Sequence, residues 1–283
     1  MMMTGSSRRD FLISAAATVA GGLAACTASL AASQGLGAPT NDLLNLALNA
    51  YGGLERWCSI DSITVKRYAS GTLFDLNGLT NALRNTEMRI EFADPKVTFF
   101  PFARPGIRGV FKPDVVWIET EDGKVLEKRE NPKASFVPLS REKPWDYLHA
   151  LYFSGYAGLN YQSEPFMFTW PNFEVNEVEP WEEDGQRWRR LRVRFPDHIA
   201  THCKEQVYYI NEEGLIQRHD YIPESVKLQA PAAQYLWDHK KFSGITLATR
   251  RRVVRREQDG KSAMSGPTMI WLEIIDAAVS FKS

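Results

Sequence analysis

Two histidines and three tyrosines crowd one short reach of the chain. The run Ile199-Ala200-Thr201-His202-Cys203-Lys204-Glu205-Gln206-Val207-Tyr208-Tyr209-Ile210 is followed by Asn211-Glu212-Glu213-Gly214 and then by Leu215-Ile216-Gln217-Arg218-His219-Asp220-Tyr221. Treating Asn211 to Gly214 as a hairpin loop sets Ile210 opposite Leu215, Tyr208 opposite Gln217, Gln206 opposite His219 and Lys204 opposite Tyr221. One face then collects His202, Lys204, Gln206, Tyr208, Gln217, His219 and Tyr221. The other collects Cys203, Glu205, Val207, Tyr209, Ile216, Arg218 and Asp220, so polar groups lie on both sides. Imidazole titrates near neutrality, and a phenol can pass a proton to it. His202, His219 and Tyr221 are therefore candidate catalytic residues, with Tyr208 as an alternative partner, for acid/base work on an apolar substrate. The competing reading is a solvated outer face whose histidines are satisfied by their neighbours. This register separates the two histidines by ~13 Å, too far to share a metal, unless a bulge shortens the gap.

Other reactive groupings are weaker. Arg250-Arg251-Arg252-Val253-Val254-Arg255-Arg256 could grip an anionic headgroup or be solvated and ion-paired with Glu182, Glu183 and Asp184. Asp197-His198 and Asp238-His239 point their side chains to opposite sides when extended, so neither is a dyad by adjacency. No Gly-x-Ser-x-Gly elbow, HExxH, CxxC, Walker loop or GxGxxG occurs, so no cofactor and no metal site are expected. The formal charge of zero over 283 residues removes the basic excess expected of a nucleic-acid binder.

The elements that must carry these groups follow from periodicity. Thr40 or Asn41 can cap a helix bearing Leu43, Leu44, Ala47, Leu48 and Tyr51 on one side, ended by Gly52-Gly53. From Ser62 the period becomes two, with Ile63 and Val65, then Met88, Ile90 and Phe92, then Val97 and Phe99. Asp122-Gly123, Asp184-Gly185, Glu213-Gly214 and Asp259-Gly260 supply turns, which implies an antiparallel meander. The exception is Pro144 to Phe153, whose helical spacing places Trp145, Leu148 and Tyr152 on one side. It leads into further aromatics and is long enough to lie across one face of a curved sheet. Trp145, Tyr152, Tyr156, Phe166, Tyr208 and Tyr235 are the candidate ligand-binding residues.

The first residues read as an address. Arg8-Arg9 precede a short apolar core from Phe11 to Ala20, the layout of an export signal and too short to span a bilayer. Ser7-Arg8-Arg9-Asp10-Phe11-Leu12 resembles the twin-arginine signal. Leu23-Ala24-Ala25-Cys26 resembles a lipobox that would lipidate Cys26, and Leu30-Ala31-Ala32 offers an ordinary cleavage site instead. The expectation is a periplasmic protein, free or anchored by lipidation, with residues 1–38 as signal and linker and 39–283 as a single domain. In that compartment Cys58 and Cys203 could pair.

This combination resembles the outer-membrane lipoprotein-sorting carriers (LolA/LolB-like). The residues that carry the likeness are the opening helix ending at Tyr51-Gly52-Gly53, the strand-turn-strand from Tyr208 to Ile216, and Phe242-Ser243-Gly244-Ile245-Thr246-Leu247. It is also similar to a group of exported bacterial proteins sharing Gly52-Gly53-Leu54-Glu55-Arg56-Trp57 and Arg218-His219-Asp220-Tyr221. The resemblance implies a mainly β fold with a few helices. A strongly curved antiparallel sheet, a half-barrel, would be covered on its concave face by helices and enclose a cavity for acyl chains or another hydrophobic ligand. The added aromatic segment from Trp145 to Trp170 would fill or roof that cavity.

Overall fold

The computed structural model describes residues 41–136, 144–224, 230–262 and 264–282. The twin-arginine stretch, Cys26 and the competing cleavage site lie outside them. Asn41 caps α1 (Asp42–Ala50), its side-chain oxygen accepting from the Leu44 amide at 3.0 Å. The helix buries Leu43, Ala47 and Leu48, as the spacing predicts. Gly52 stands at φ 121° with a neighbouring backbone carbonyl where a β-carbon would be, so only glycine closes this corner before α2 (Leu54–Cys58).

Among the described residues the body of the fold is one antiparallel sheet of thirteen strands, not closed into a barrel. Strands β1 (Ile60–Ser70), β2 (Asn85–Glu91), β3 (Lys96–Phe100), β4 (Ile107–Lys112), β5 (Val115–Thr120) and β6 (Val125–Glu130) meander outward in one direction. A short helix α3 (Thr72–Asp75) intervenes after β1. The second half returns from the opposite edge through β7 (Glu174–Glu183), β8 (Gln186–Arg194), β9 (Glu205–Ile210), β10 (Ile216–Tyr221), β11 (Ala232–Phe242), β12 (Ile245–Arg255) and β13 (Ile270–Phe281). β13 pairs with β1, so the last strand joins the two halves at the middle of the sheet. Asp184 and Gly185, both at positive φ, close the tight turn between β7 and β8.

Helix α4 (Tyr147–Ser163) connects edge strand β6 to edge strand β7 across the concave face. Consecutive residues on it reach opposite halves. Gly155 abuts Phe111 of β4, while the Tyr156 hydroxyl meets His202, three residues before the start of β9. Along a flat sheet β4 and β9 would be about 38 Å apart, whereas a helix is about 10 Å across. The sheet therefore coils tightly around α4, and the aromatic segment does lie across its concave face. The open edges are protected by composition: β6 is charged and exposed along most of its length, and β7 carries a bulge and Pro180.

Candidate functional site

α4 is built to be enclosed. Asp146 and His149 form a reciprocal capping box at its start, and Arg129 donates to the Asp146 carboxylate at 2.6 Å. Although burial opposes it, these hydrogen bonds hold the Asp146 carboxyl well below the usual carboxylate range. Beyond Tyr147 every α4 side chain is buried, so this is a core helix and not an amphipathic surface one. Gly155 and Gly158 let it approach the sheet, since a β-carbon at Gly155 would overlap the Phe111 ring and one at Gly158 would stand 2.5 Å from the Met88 sulfur.

Where the C-terminal half of α4 meets β9 to β12, the interior turns polar. His202 bridges two phenols, Nδ1 to Tyr156 at 3.0 Å and Nε2 to Tyr161 at 2.7 Å, and stacks on Tyr221 with centroids 4.1 Å apart. His219 stacks on Tyr208 at 4.1 Å and donates from Nε2 to the Gln206 amide oxygen at 2.6 Å. Its Nδ1 lies 3.9 Å from the Glu164 carboxylate. Glu164, just past the helix, accepts from Tyr208 at 3.2 Å and from Arg251 Nη1 at 3.3 Å. Arg251 also donates to the Gln234 oxygen at 3.1 Å and the Tyr161 carbonyl at 2.9 Å. Burial drives the His202 pKa down to about 3. Burial, then the charges of His202 and Arg251, hold His219 well below its ordinary range. Burial also pushes Glu164 up, against the pull of Arg251. This is a neutral-imidazole, hydrogen-bonding cluster sealed under aromatic rings.

The three residues expected to act together, His202, His219 and Tyr221, are brought together, with Tyr221 packed against both imidazoles at 4.1 and 4.8 Å. They meet by a different route from the one expected. A bulge at Gln217 shifts the hairpin so that Tyr208 pairs with His219 and Tyr209 with Arg218, and His202 lies in the loop before β9. Lys204 leaves the cluster to bind Asp197 in solvent.

Five of the six candidate ligand residues line the interior. Trp145 packs on Phe136 and Phe153, Tyr152 on Phe111, Tyr156 on His202, Phe166 on Trp57 and Tyr208 on Phe168. Tyr235 does not join them. It lies on the outer face, hydrogen-bonded to Glu183 and to Ser262 at 2.7 Å. Nor, among the described residues, is the expected cavity open: the voids beside Arg67 between α4 and the sheet hold about 20 Å³ each, room for a water apiece. The rings carried by α4 and the segment after it take up the rest.

The basic run splits by strand alternation. Arg251 turns inward to Glu164, while Arg250 pairs with Glu273 and Arg256 with Asp220, not with the acidic turn. Glu183 is instead taken by Arg218, a fully buried guanidinium on the outer face that also grips Asp220 at 2.7 and 2.9 Å and the Gly260 carbonyl at 2.5 Å. Trp181, Tyr209 and Tyr235 surround it. Nearby on that face, Trp188, Trp237 and Trp271 border a groove of about 390 Å³. Cys203 is a free thiol, so the Cys58–Cys203 bridge is not formed.

Sequence reading passed over Arg67 and Glu164. Arg67 occupies an inward position of β1 in the series Ile63, Val65, Arg67, Ala69. An arginine in the apolar phase of a period-two strand was the available signal.

Fold and site together define an open, coiled antiparallel sheet wound on one crossing helix, with a polar cluster enclosed between them. No family model and no curated protein matches the chain. Among solved structures it is similar to a DUF1329 family protein from Desulfovibrio piger, at 13% identity over 86% of this chain and 94% of that chain with a TM-score of 0.46. It is similar to a putative outer membrane lipoprotein-sorting protein domain from Vibrio parahaemolyticus (10% identity, 84% and 92% covered, TM-score 0.45). A LolA superfamily protein from Nitrosomonas europaea gives 8% identity, 87% and 96% coverage and a TM-score of 0.48. These are likenesses of chain path alone.

Proposed function

We propose that this is an exported protein that binds an amphipathic ligand between α4 and the concave face of the sheet, with the ligand's polar end at the buried cluster and its apolar body among the aromatic rings. The observation that carries this reading is unspent hydrogen-bonding capacity in an otherwise greasy interior. Arg67 Nε and Arg251 Nε are both buried without a hydrogen-bond partner. A folded chain with no use for such groups has reason to satisfy them or replace them with apolar ones. The voids are too small for a ligand as they stand, so binding requires α4 to draw back from the sheet.

Acid/base catalysis by His202, His219 and Tyr221 is the weaker reading. A general base works best with a pKa near the operating pH, and both imidazoles are driven far below that by their burial. Native mass spectrometry of the protein purified from a bacterial periplasm, followed by organic extraction, tests the proposal. Co-purifying amphiphile at near-stoichiometric level is expected, and a protein that stays unliganded when offered lipid extract contradicts it. The same spectra report the mature N-terminus and whether Cys26 carries a diacylglyceryl group, a disulfide or a thiol.

A further inference from the structure

Arg67 is 7% exposed, on the inward side of β1, and its guanidinium is almost unpaired. Nη1 lies 3.6 Å from the Met88 sulfur, the Phe99 ring centroid is 5.1 Å away, and Nε has no hydrogen-bond partner. Burial lowers its pKa to about 10, so it remains protonated at neutral pH. Arg251 is 4% exposed and approaches from β12, two strands away across β13. Its Nη1 and Nη2 are engaged, but its Nε is free. Both arginines line the same small void beside Gly158 and Tyr161.

Charge is not balanced there. Among the described residues Glu164 is the carboxylate buried on this face, and Arg251 already holds it at 3.3 Å. Glu273 also borders the void, but its carboxylate is turned outward to Arg250 at 3.2 Å. Two guanidinium groups thus face one carboxylate, and an uncompensated buried cation is strongly unfavourable. A second void continues from Arg67 along the seam between α4 and β13. There α4 presents only Phe153, Ser154, Ala157, Gly158 and Tyr161, and Phe74, Ile270 and Leu272 form the opposite wall. Ser154, Ala157 and Gly158 on the helix, with apolar side chains opposite, make this the path of least displacement for a chain.

We propose that Arg67 and Arg251 together bind the anionic head of the ligand, a carboxylate or phosphate, while its single apolar chain lies in the α4–β13 seam; this rests on the reading that the concave face takes an amphiphile. Each free Nε–H is able to donate one hydrogen bond to such a head. Arginine binds both oxyanions well through such charge-assisted bonds.

The test uses the full mature chain and a fluorescent polyene fatty acid, cis-parinaric acid, beside its uncharged methyl ester. The acid is expected to bind at least about tenfold tighter than the ester. Arg67→Met is expected to bring the acid down to the level of the ester and leave the ester unchanged. It should also raise the melting temperature of the ligand-free protein, because a lone buried cation is replaced by an apolar chain of similar length. Displacement by palmitate or by a lysophosphatidic acid supports the same site and distinguishes a carboxylate source from a phosphate one. Equal binding of acid and ester by the wild-type chain overturns the anionic site while leaving the amphiphile reading standing. Binding of neither overturns both. A tenfold preference that survives in a folded Arg67→Met removes Arg67 from the site.

Discussion

His202 sits between two phenols and under a third ring, with no solvent to hydrate a charge, and this fixes its protonation state. Its pKa of about 3, that of His239 at about 4 and the lowered value of His219 all lie below the ordinary 6.5. Between the folded and unfolded values the unfolded chain binds protons that the folded chain does not. This contribution to stability is therefore whole above 6.5 and is lost progressively as the pH falls toward the folded values. The urea midpoint is expected to drop from about pH 7 to about pH 5, and His202→Gln to remove roughly one-third of the slope that the three histidines share. A flat profile, or an unchanged slope in the variant, contradicts the buried neutral assignment. The residues of this cluster were legible in the sequence as a set of types. Their partners were not, because the turn sets Ile210 opposite Ile216 in place of Leu215 and the bulge at Gln217 adds another residue, so every pairing beyond it is displaced by two positions. Tyr235 was misplaced for the related reason that an aromatic in a strand does not declare its face; here that face belongs to the Arg218 network.

At the level of elements, α4 settles the interior. Its fit depends on two glycines, which helix propensity alone would count as faults worth about 1 kcal/mol each relative to alanine. Gly155→Ala is nevertheless expected to destabilise the protein by about 1–3 kcal/mol, because the new methyl group overlaps the Phe111 ring on β4. Gly158→Ala should cost less, since it meets the flexible end of Met88. Chemical denaturation of the two variants checks the order, and a more stable Gly155→Ala would show that the helix is not seated as described. Periodicity found α1, the early strands and the start of α4 because each is a local pattern with a recognisable cap or turn. It did not show that α4 is enclosed on all sides, since Ser154, Gly155, Ala157, Gly158 and Asn160 read as a mild, nearly featureless helix. Their smallness records how close the sheet comes.

On the scale of the whole molecule, thirteen strands coil around one helix, and β13 against β1 ties the two meanders into a single sheet. The curved antiparallel architecture was expected from the hairpin rhythm together with the family resemblance, and it is what the chain forms. Among the described residues the open cavity expected with it is not found, because the aromatic segment occupies that volume. Ligand binding on the concave face therefore depends on α4 parting from the sheet, whereas the groove by Trp188, Trp237 and Trp271 on the outer face needs no rearrangement. Photocrosslinking with a diazirine-bearing palmitic acid separates these two surfaces, with the labelled peptides mapped by mass spectrometry. Labels on α4 around Ser154–Tyr161 and on β13 around Ile270–Ile274 are the predicted result. Labels confined to the tryptophan groove, or none above the level seen with denatured protein, would contradict it.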